Sequence, residues 1–311
     1  MRRPRTPALF AVVLALASVI AATSGRPAFA VGSQIRTFVA STGSDANPCS
    51  RSAPCRTFGA ALGQTAGGGE IVALDSGGYG AVTISQAVTI VAAPGIQASI
   101  SPSSGAAITV NAGASDVVVL RNLYLNAQGA DTGILYQSAA ALHVEQLVIN
   151  GFTNYGIIMS VATASDLYVA DTIVRNSGVA IALASVSGIA NVSIVRALLE
   201  NNADFGIWAF ANARANVKDT IASGNGYGFI ASSSSAPVEI NLEGCVASGN
   251  TYGIYADSSS STATIRVSNC SVTGNSVGIN PGTNGSILSR GNNTVEGNTT
   301  NETFSGSYAA K

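Results

Sequence analysis

Arg121, Glu145, Asp171, Arg196 and Asp219 recur at intervals of 24, 26, 25 and 23 residues. If the chain repeats with that period, these side chains project near one another just after corresponding strands. Carboxylates drawn from neighbouring repeats are what a Ca²⁺ site needs, although Glu145 and Asp171 are few for an ion that takes six to eight oxygens. Opposite charges one repeat apart also make a plain surface ion-pair ladder, which stabilises little. The only histidine, His143, alternates with Leu142 and Val144, so it is expected to face solvent. No Ser–His–Asp arrangement is read around it. Four cysteines and one histidine without CxxC spacing do not read as a zinc site.

A second set of residues is apolar. Gly133-Ile134, Gly156-Ile157, Gly206-Ile207, Gly228-Phe229, Gly253-Ile254 and Gly278-Ile279 are Gly-apolar pairs at a similar period. Strand side chains alternate, so if the residue after each Gly points inward, the next points out. That rule places Leu135, Ile158, Trp208, Ile230 and Tyr255 on one lateral face, with Phe210 two residues beyond Trp208. Ile158, Trp208, Phe210, Ile230 and Tyr255 are the candidate substrate-binding residues, because aromatic faces suit sugar rings. The competing readings are a self-association face, since exposed apolar patches mark interfaces, and packing beneath a loop or the C-terminal tail. The same parity turns Tyr155, Phe205, Tyr227 and Tyr252 inward as a core stack.

The elements that position these residues follow from a longer pattern. An Asn precedes most of the Gly-apolar pairs by a few residues, at Asn150, Asn176, Asn201, Asn225, Asn250 and Asn275, with gaps of 26, 25, 24, 25 and 25. A period near 25 signals a solenoid. Asn tolerates the left-handed backbone of tight bends, and stacked amides can hydrogen-bond from turn to turn, so these residues read as a structural ladder. Between them lie short β-branched runs such as Ile71–Leu74, Ala81–Ile84 and Ala87–Val91. Leucine-rich repeats share the period but need several Leu per repeat, and here Val, Ile and Ala fill the apolar positions. No helical stretch separates the strands, which excludes βαβ units. Three short parallel strands per turn remain, wound right-handed. Residues 70–300 hold roughly nine turns, which at ~4.8 Å each give a rod on the order of 45 Å.

The ends differ. Arg2, Arg3 and Arg5, the apolar stretch Ala8–Ala22 and Ala28-Phe29-Ala30 read as a signal peptide over 1–30, cleaved after Ala30. Residues 31–69 read as an N-terminal cap with a strand from Gln34 to Ser41 and a short helix over Arg56–Ala66, ended by Gly67-Gly68-Gly69. A stack of turns has an open apolar end that such a cap must cover. Residues 301–311 read as a C-terminal tail. Secretion favours a disulfide between Cys49 and Cys55. Cys245 and Cys270 are 25 apart and should occupy one place on neighbouring turns, either bonded or as a buried thiol pair.

Composition narrows the partners. Charged residues are 10% of the chain, against about 25% in an average domain. Net charge is −1, and Lys218 and Lys311 are the only lysines. No basic patch is available for phosphates, so nucleic acid and anionic membrane surfaces are not expected partners. No segment after the leader is long and apolar enough to span a membrane.

The segment Thr37-Phe38-Val39-Ala40-Ser41-Thr42-Gly43-Ser44-Asp45-Ala46-Asn47-Pro48 with Pro54-Cys55-Arg56-Thr57-Phe58, and arrays such as Val246-Ala247-Ser248-Gly249-Asn250-Thr251-Tyr252-Gly253-Ile254, resemble right-handed parallel β-helix proteins of the pectate-lyase-like superfamily. The resemblance covers nearly the whole chain after the leader and implies an all-β fold. That superfamily includes lyases, hydrolases, epimerases and adhesins, and a fold does not carry an activity. For a lyase, the resemblance implies Glu145 and Asp171 as Ca²⁺ ligands and Arg196 as the proton-abstracting base. For a polygalacturonase-like hydrolase it implies paired Asp and a Gly-His-Gly segment, and the chain has neither. The reading is a secreted, periplasmic or extracellular β-helix protein without a cofactor, binding a polysaccharide or cell-surface glycan through a lateral face. The alternatives are a Ca²⁺-dependent polysaccharide lyase, and an adhesin or scaffold, with self-association as the corresponding partner.

Overall fold

The computed structural model describes residues 32–309 apart from 234 and 302, so the expected leader and its cleavage at Ala30 lie outside the described residues. The chain winds into three parallel sheets of twelve, nine and ten strands. One turn shows the scheme. Ala141–Glu145 joins the twelve-stranded sheet, Val148–Asn150 the ten-stranded sheet and Tyr155–Val161 the nine-stranded sheet. The result is a right-handed parallel β-solenoid of about nine turns.

Each sheet turns one side-chain row into a shared core. In the twelve-stranded sheet Leu120, Val144, Val169, Ile194, Val217, Leu242 and Val267 lie in one register and are buried. Each such side chain contributes about 1.5–3 kcal/mol when buried. Their strand neighbours face outward, as His143 does between Leu142 and Val144.

Corners separate the sheets, and they explain why the 25-residue ruler needs adjustment. After the twelve-stranded sheet one residue takes a left-handed conformation: Asn122, Gln146, Asp171, Arg196, Asp219, Gly244 and Asn269 have φ between 49° and 65°. Arg121 and Glu145 are the residues before that corner and pair with each other in register. Hence the five charged residues do not form one column: Glu145 stands opposite Ala170, and Asp171 is one position further on.

The Asn series divides in the same way. Asn150 ends a strand, opposite Arg175. Asn176 and Asn201 occupy left-handed corners that Gly224, Gly249 and Gly274 occupy in later turns. Asn225, Asn250 and Asn275 come one residue after the corner and are buried. Their true predecessor is Asn202, whose Nδ2 donates to Asn225 Oδ1 at 3.0 Å. The buried ladder continues from Asn225 to Asn250 at 3.1 Å, from Asn250 to Asn275 at 2.9 Å and from Asn275 to Asn298 at 2.9 Å. A separate, more exposed ladder links Asn176 to Asn150 and Asn150 to Asn126, both at 2.8 Å. So the residues are structural, but in three columns instead of one.

The buried ladder also dictates the repeat Gly. A Cβ on Gly253 would lie 2.5 Å from the Gly278 carbonyl oxygen and 3.0 Å from Asn275 Nδ2. The chain crosses the inner wall too closely there for any side chain.

At the N-terminal end the helix α1 (Phe58–Gln64) is capped by Thr57, whose Oγ1 accepts from Ala60 N at 3.2 Å. It buries Phe58, Ala61 and Leu62 against the first turns. The expected stop at Gly67–Gly69 is wrong: α1 ends at Gln64, and these glycines belong to the strand Thr65–Ala73. That strand pairs with Gln34–Val39, so the boundary at 69/70 falls inside one sheet. Beside it Asp75 accepts from Ser41 N at 2.8 Å, from Ser41 Oγ at 2.7 Å and from the Tyr79 hydroxyl. Cys49 and Cys55 form the expected disulfide. At the other end Gly306–Ser307 pairs with Leu288 and Ser289, so the tail adds to the twelve-stranded sheet.

Cys245 and Cys270 are free, buried and on neighbouring turns. Cys270 Sγ accepts from Cys245 N at 3.3 Å. Thr172 and Thr220 do the same for Leu147 N and Ala197 N, and Asn293 for Cys270 N. The thiols thus belong to a column of side-chain acceptors for backbone donors at this corner. The hydrogen bond with Cys270 and burial push the Cys245 thiol up, so it is inert at neutral pH.

Candidate functional site

The nine-stranded sheet carries a second hydrophobic cluster on its outer side, separate from the core. Leu135, Ile158, Ala182, Trp208, Ile230 and Tyr255 lie in one register there, as the alternation rule requires. The row beside it is Tyr155, Val179, Phe205, Tyr227 and Tyr252. These aromatics were expected inside and are not: they pack against the outer cluster. The reason is the repeat Gly. Gly156 and Ile157 both face inward, since a Cβ on Gly156 would meet Val174 at 2.2 Å and Ile157 is in the core. Two successive inward residues reset the parity, so Tyr155 and Ile158 share the outer side.

Phe210 reaches this face through a bulge. Leu183 pairs with Ala209 and Ala184 with Ala211, which leaves Phe210 as the extra residue. Its ring lies 4.4 Å from Trp208. From there rings follow in contact: Trp208 to Phe205 at 5.0 Å, Phe205 to Tyr227 at 5.3 Å, Tyr227 to Tyr252 at 4.7 Å, and Tyr255 at 5.3 Å from Tyr227. Trp208, Ile158 and Ile230 are only 4–7% exposed, so they support the face instead of forming its contact surface. Trp208 Nε1 donates to Ser232 Oγ at 3.0 Å, which fixes the indole. Phe210, Tyr155, Tyr227, Tyr252 and Tyr255 are half-buried.

Tyr227 and Tyr252 stack face to face, with 10° between their planes, so their edges and hydroxyls are what the face presents. None of the hydroxyls of Tyr155, Tyr227, Tyr252 and Tyr255 hydrogen-bonds to another described residue, and none is an enclosed, unpartnered atom. Burial pushes Tyr227 up to about 12, assisted by Tyr252, Tyr255 and Asp257. Burial also raises Tyr155 and Tyr255, with Asp204 and Asp257 adding to the effect. The hydroxyls of Tyr155, Tyr227 and Tyr255 therefore keep their protons and remain donors at neutral pH. Among the described residues no Tyr hydroxyl row of this kind occurs on the other two sheets, and the sequence signal for it was the set of aromatics before each Gly.

The outer side of the twelve-stranded sheet is polar, and four of the five residues of the charged series pair there. Arg121 Nε contacts Glu145 Oε2 at 2.7 Å, and Arg196 engages both oxygens of Asp171 at 2.6 and 2.8 Å. The hydrogen bond from Arg196 holds the Asp171 carboxyl below its ordinary range and raises Arg196 in turn. Each carboxylate that would ligate Ca²⁺ already has a guanidinium partner, and the Asp171 carboxylate favours the charged form of Arg196. Among the described residues no three His, Cys, Asp or Glu side chains converge on a metal position. His143 lies on this face, stacked on Tyr168 at 4.6 Å and 3.9 Å from Glu145.

Gly274-Asn275-Ser276-Val277-Gly278 matches the Gly-x-Ser-x-Gly spacing of a nucleophile turn. It forms a solenoid corner leading into the strand Val277–Pro281, with no following helix and with His143 five turns away. A shallow depression of about 260 Å³ between Ile96, Asn122, Tyr124, Gln146 and Val148 contains no carboxylate, imidazole or cation.

Comparison with known proteins agrees with the fold. A family model described as right handed beta helix region matches residues 133–300. The structure is similar to the crystal structure of pectate lyase Pel9A, with a TM-score of 0.57 and 17% identity over 89% of this chain and 80% of that one. At that identity the likeness concerns the course of the backbone. A search of curated proteins finds no match. The model match spans more than half of the sequence and coincides with the turns that carry the Asn ladder and the aromatic face, and the chain belongs to the right-handed β-helix family.

Proposed function

We propose that this is a secreted, non-catalytic β-helix protein that binds carbohydrate through the outer side of its nine-stranded sheet. The observation that carries the reading is the run of contacting rings from Phe210 to Tyr255 with tyrosine hydroxyls left open to solvent. Aromatic side chains with one apolar end and one polar end suit a ligand that is both a ring and a polyol. Tyr227 and Tyr252 present the same group on successive turns at ~4.8 Å, a spacing comparable to one sugar ring, so an extended chain can meet both. The Cys49–Cys55 disulfide fits an oxidising compartment.

The test is binding to a glycan panel by the chain carrying Tyr227→Phe and Tyr255→Phe. These changes remove two hydroxyls and keep both rings, so the fold is retained. Loss of at least tenfold in affinity is expected. Unchanged binding would move the site elsewhere, and absence of any glycan ligand would leave the adhesin or scaffold reading.

A further inference from the structure

The charges around the aromatic face select among glycans, and this inference rests on the carbohydrate reading above. The described basic residues lie on the other two sheets, at the corner between them, or in the N-terminal cap. Arg36, Arg121, Arg214, Lys218 and Arg266 belong to strands of the twelve-stranded sheet, and Arg175 to the ten-stranded sheet. Arg196 and Arg290 directly follow twelve-stranded-sheet strands, and Arg51 and Arg56 precede α1. The nine-stranded sheet and the residues leading into it contain no described cation.

Its charges are all acidic. Asp131 and Asp204 immediately precede the strands Thr132–Ser138 and Phe205–Ala211, and Asp257 shares the outward side of Tyr252–Ser258 with Tyr255. None of the three has an ion-pair partner among the described residues, and no described cation shares their sheet to supply one. Nor can they act together through a bound cation. Asp131 and Asp204 are three turns apart, and Asp257 lies on the opposite edge of the sheet, two turns from Asp204.

We infer that the ligand of this face is an uncharged glycan, and that polyuronates and other anionic polysaccharides are excluded from it. The physical basis is a division of labour. Protonated tyrosine hydroxyls donate to ring and hydroxyl oxygens of the sugar. Unpaired carboxylates accept from sugar hydroxyls, in charge-assisted hydrogen bonds that are shorter and stronger than neutral ones. A uronate bound in the same place would set its own carboxylate against these acids, with no guanidinium or ammonium to offset the repulsion. Juxtaposed like charges suppress the wrong partner, and the hydroxyl contacts favour the right one. The chain therefore departs from what its fold resemblance implies, since an acidic substrate would call for the opposite charge on the binding face.

Matched pairs of polysaccharides provide the experiment: polygalacturonate against its carboxyl-reduced form, and carboxymethyl cellulose against hydroxyethyl cellulose. Binding of the full chain is measured by affinity electrophoresis at about 0.01 M and about 1 M ionic strength, the range over which surface electrostatics are screened. The uncharged member of at least one pair should bind at least tenfold better at low salt. The gap should narrow at high salt, and binding should be lost in the Tyr227→Phe, Tyr255→Phe chain. In an Asp204→Asn, Asp257→Asn chain the discrimination should shrink while the fold persists. Tighter, tyrosine-dependent binding of an anionic member would overturn this inference and leave the carbohydrate site intact. Failure of every glycan to bind would overturn both.

Discussion

Asn250 is the residue whose removal the fold should feel most clearly. Its Oδ1 accepts from Asn225 N at 2.9 Å and from Asn225 Nδ2 at 3.1 Å, and its Nδ2 donates to Ala222 O at 3.0 Å and to Asn275 Oδ1 at 2.9 Å. Asn250→Ala removes all four. Asn225 Nδ2 keeps Leu199 O, and Asn275 Oδ1 keeps Asn250 N, but the Asn225 N–H loses its side-chain acceptor in a position 2–4% exposed. One orphaned buried donor costs about 1–3 kcal/mol, and each hydrogen bond lost between groups that retain other partners about 0.5–1.5 kcal/mol. Water entering the polar cavity offsets part of this. The expected loss is about 2–4 kcal/mol. The control is Asn150→Ala, which removes two amide bonds of 2.8 Å on the outer side and should cost under about 1 kcal/mol. Urea unfolding followed by circular dichroism measures both through their midpoints, at a slope common to the two. Equal midpoints for the two variants would refute the claim that burial of the later ladder is what makes it stabilising.

Two further predictions follow from the same geometry and from the cap. Gly253→Ala forces a Cβ to 2.5 Å from the Gly278 carbonyl and should destabilise by more than about 3 kcal/mol, comparable to severe core overpacking, or prevent soluble expression. Gly249→Asn should cost under about 1 kcal/mol, because Gly249 has φ 64°, an added Cβ would meet only Gly224 N at an ordinary 3.8 Å, and Asn176 and Asn201 hold the same corner at 54° and 53°; urea midpoints rank the pair. Asp75 gives a pH signature. Burial acts to raise its carboxyl, but hydrogen bonds from Ser41 and Tyr79 outweigh it and hold the group below its ordinary value. Its folded pKa is thus depressed, so its contribution is present above the unfolded pKa of about 3.9 and is lost as pH falls through the folded value. Asp75→Asn should flatten the fall of the urea midpoint over that acid range, and an unchanged acid limb would show that the carboxylate is not part of cap stability.

Much of this architecture was legible in the sequence because a parallel solenoid repeats one backbone path, and every deviation from the period leaves a mark. The period, the inward Val and Ile rows, the Cys245–Cys270 register and the outward placement of Trp208 all follow from it. What escaped was a shift of one residue. Arg121 and Arg196 look equivalent at 25-residue spacing, yet one ends a strand and the other is the left-handed corner after it. Asn201 fits the 25-residue interval from Asn176, yet the buried ladder runs through its neighbour Asn202. Strict alternation misplaces the row of Tyr155, Phe205, Tyr227 and Tyr252, because at Gly156 and its equivalents two consecutive residues face inward. The burial of Trp208 depends on the bulge at Phe210, and no local propensity announces an extra residue in a strand.

The buried amide ladder has a direction. Backbone donors and acceptors fix each amide's orientation: Oδ1 of Asn250 must face the Asn225 N–H, and its Nδ2 must face Ala222 O. From Asn202 to Asn298 every Nδ2 therefore points toward the C-terminal end, and the side-chain dipoles add head to tail, each bond polarising the next. Each Nδ2 gives one N–H to a backbone carbonyl of the preceding turn, Val272 O at 2.9 Å for Asn298, and the other to the next Oδ1, so the last amide of the row is left without a ladder acceptor for that second N–H. Asn301 Oδ1 supplies that acceptor at 2.7 Å from Asn298, so a single amide outside the repeat closes the row.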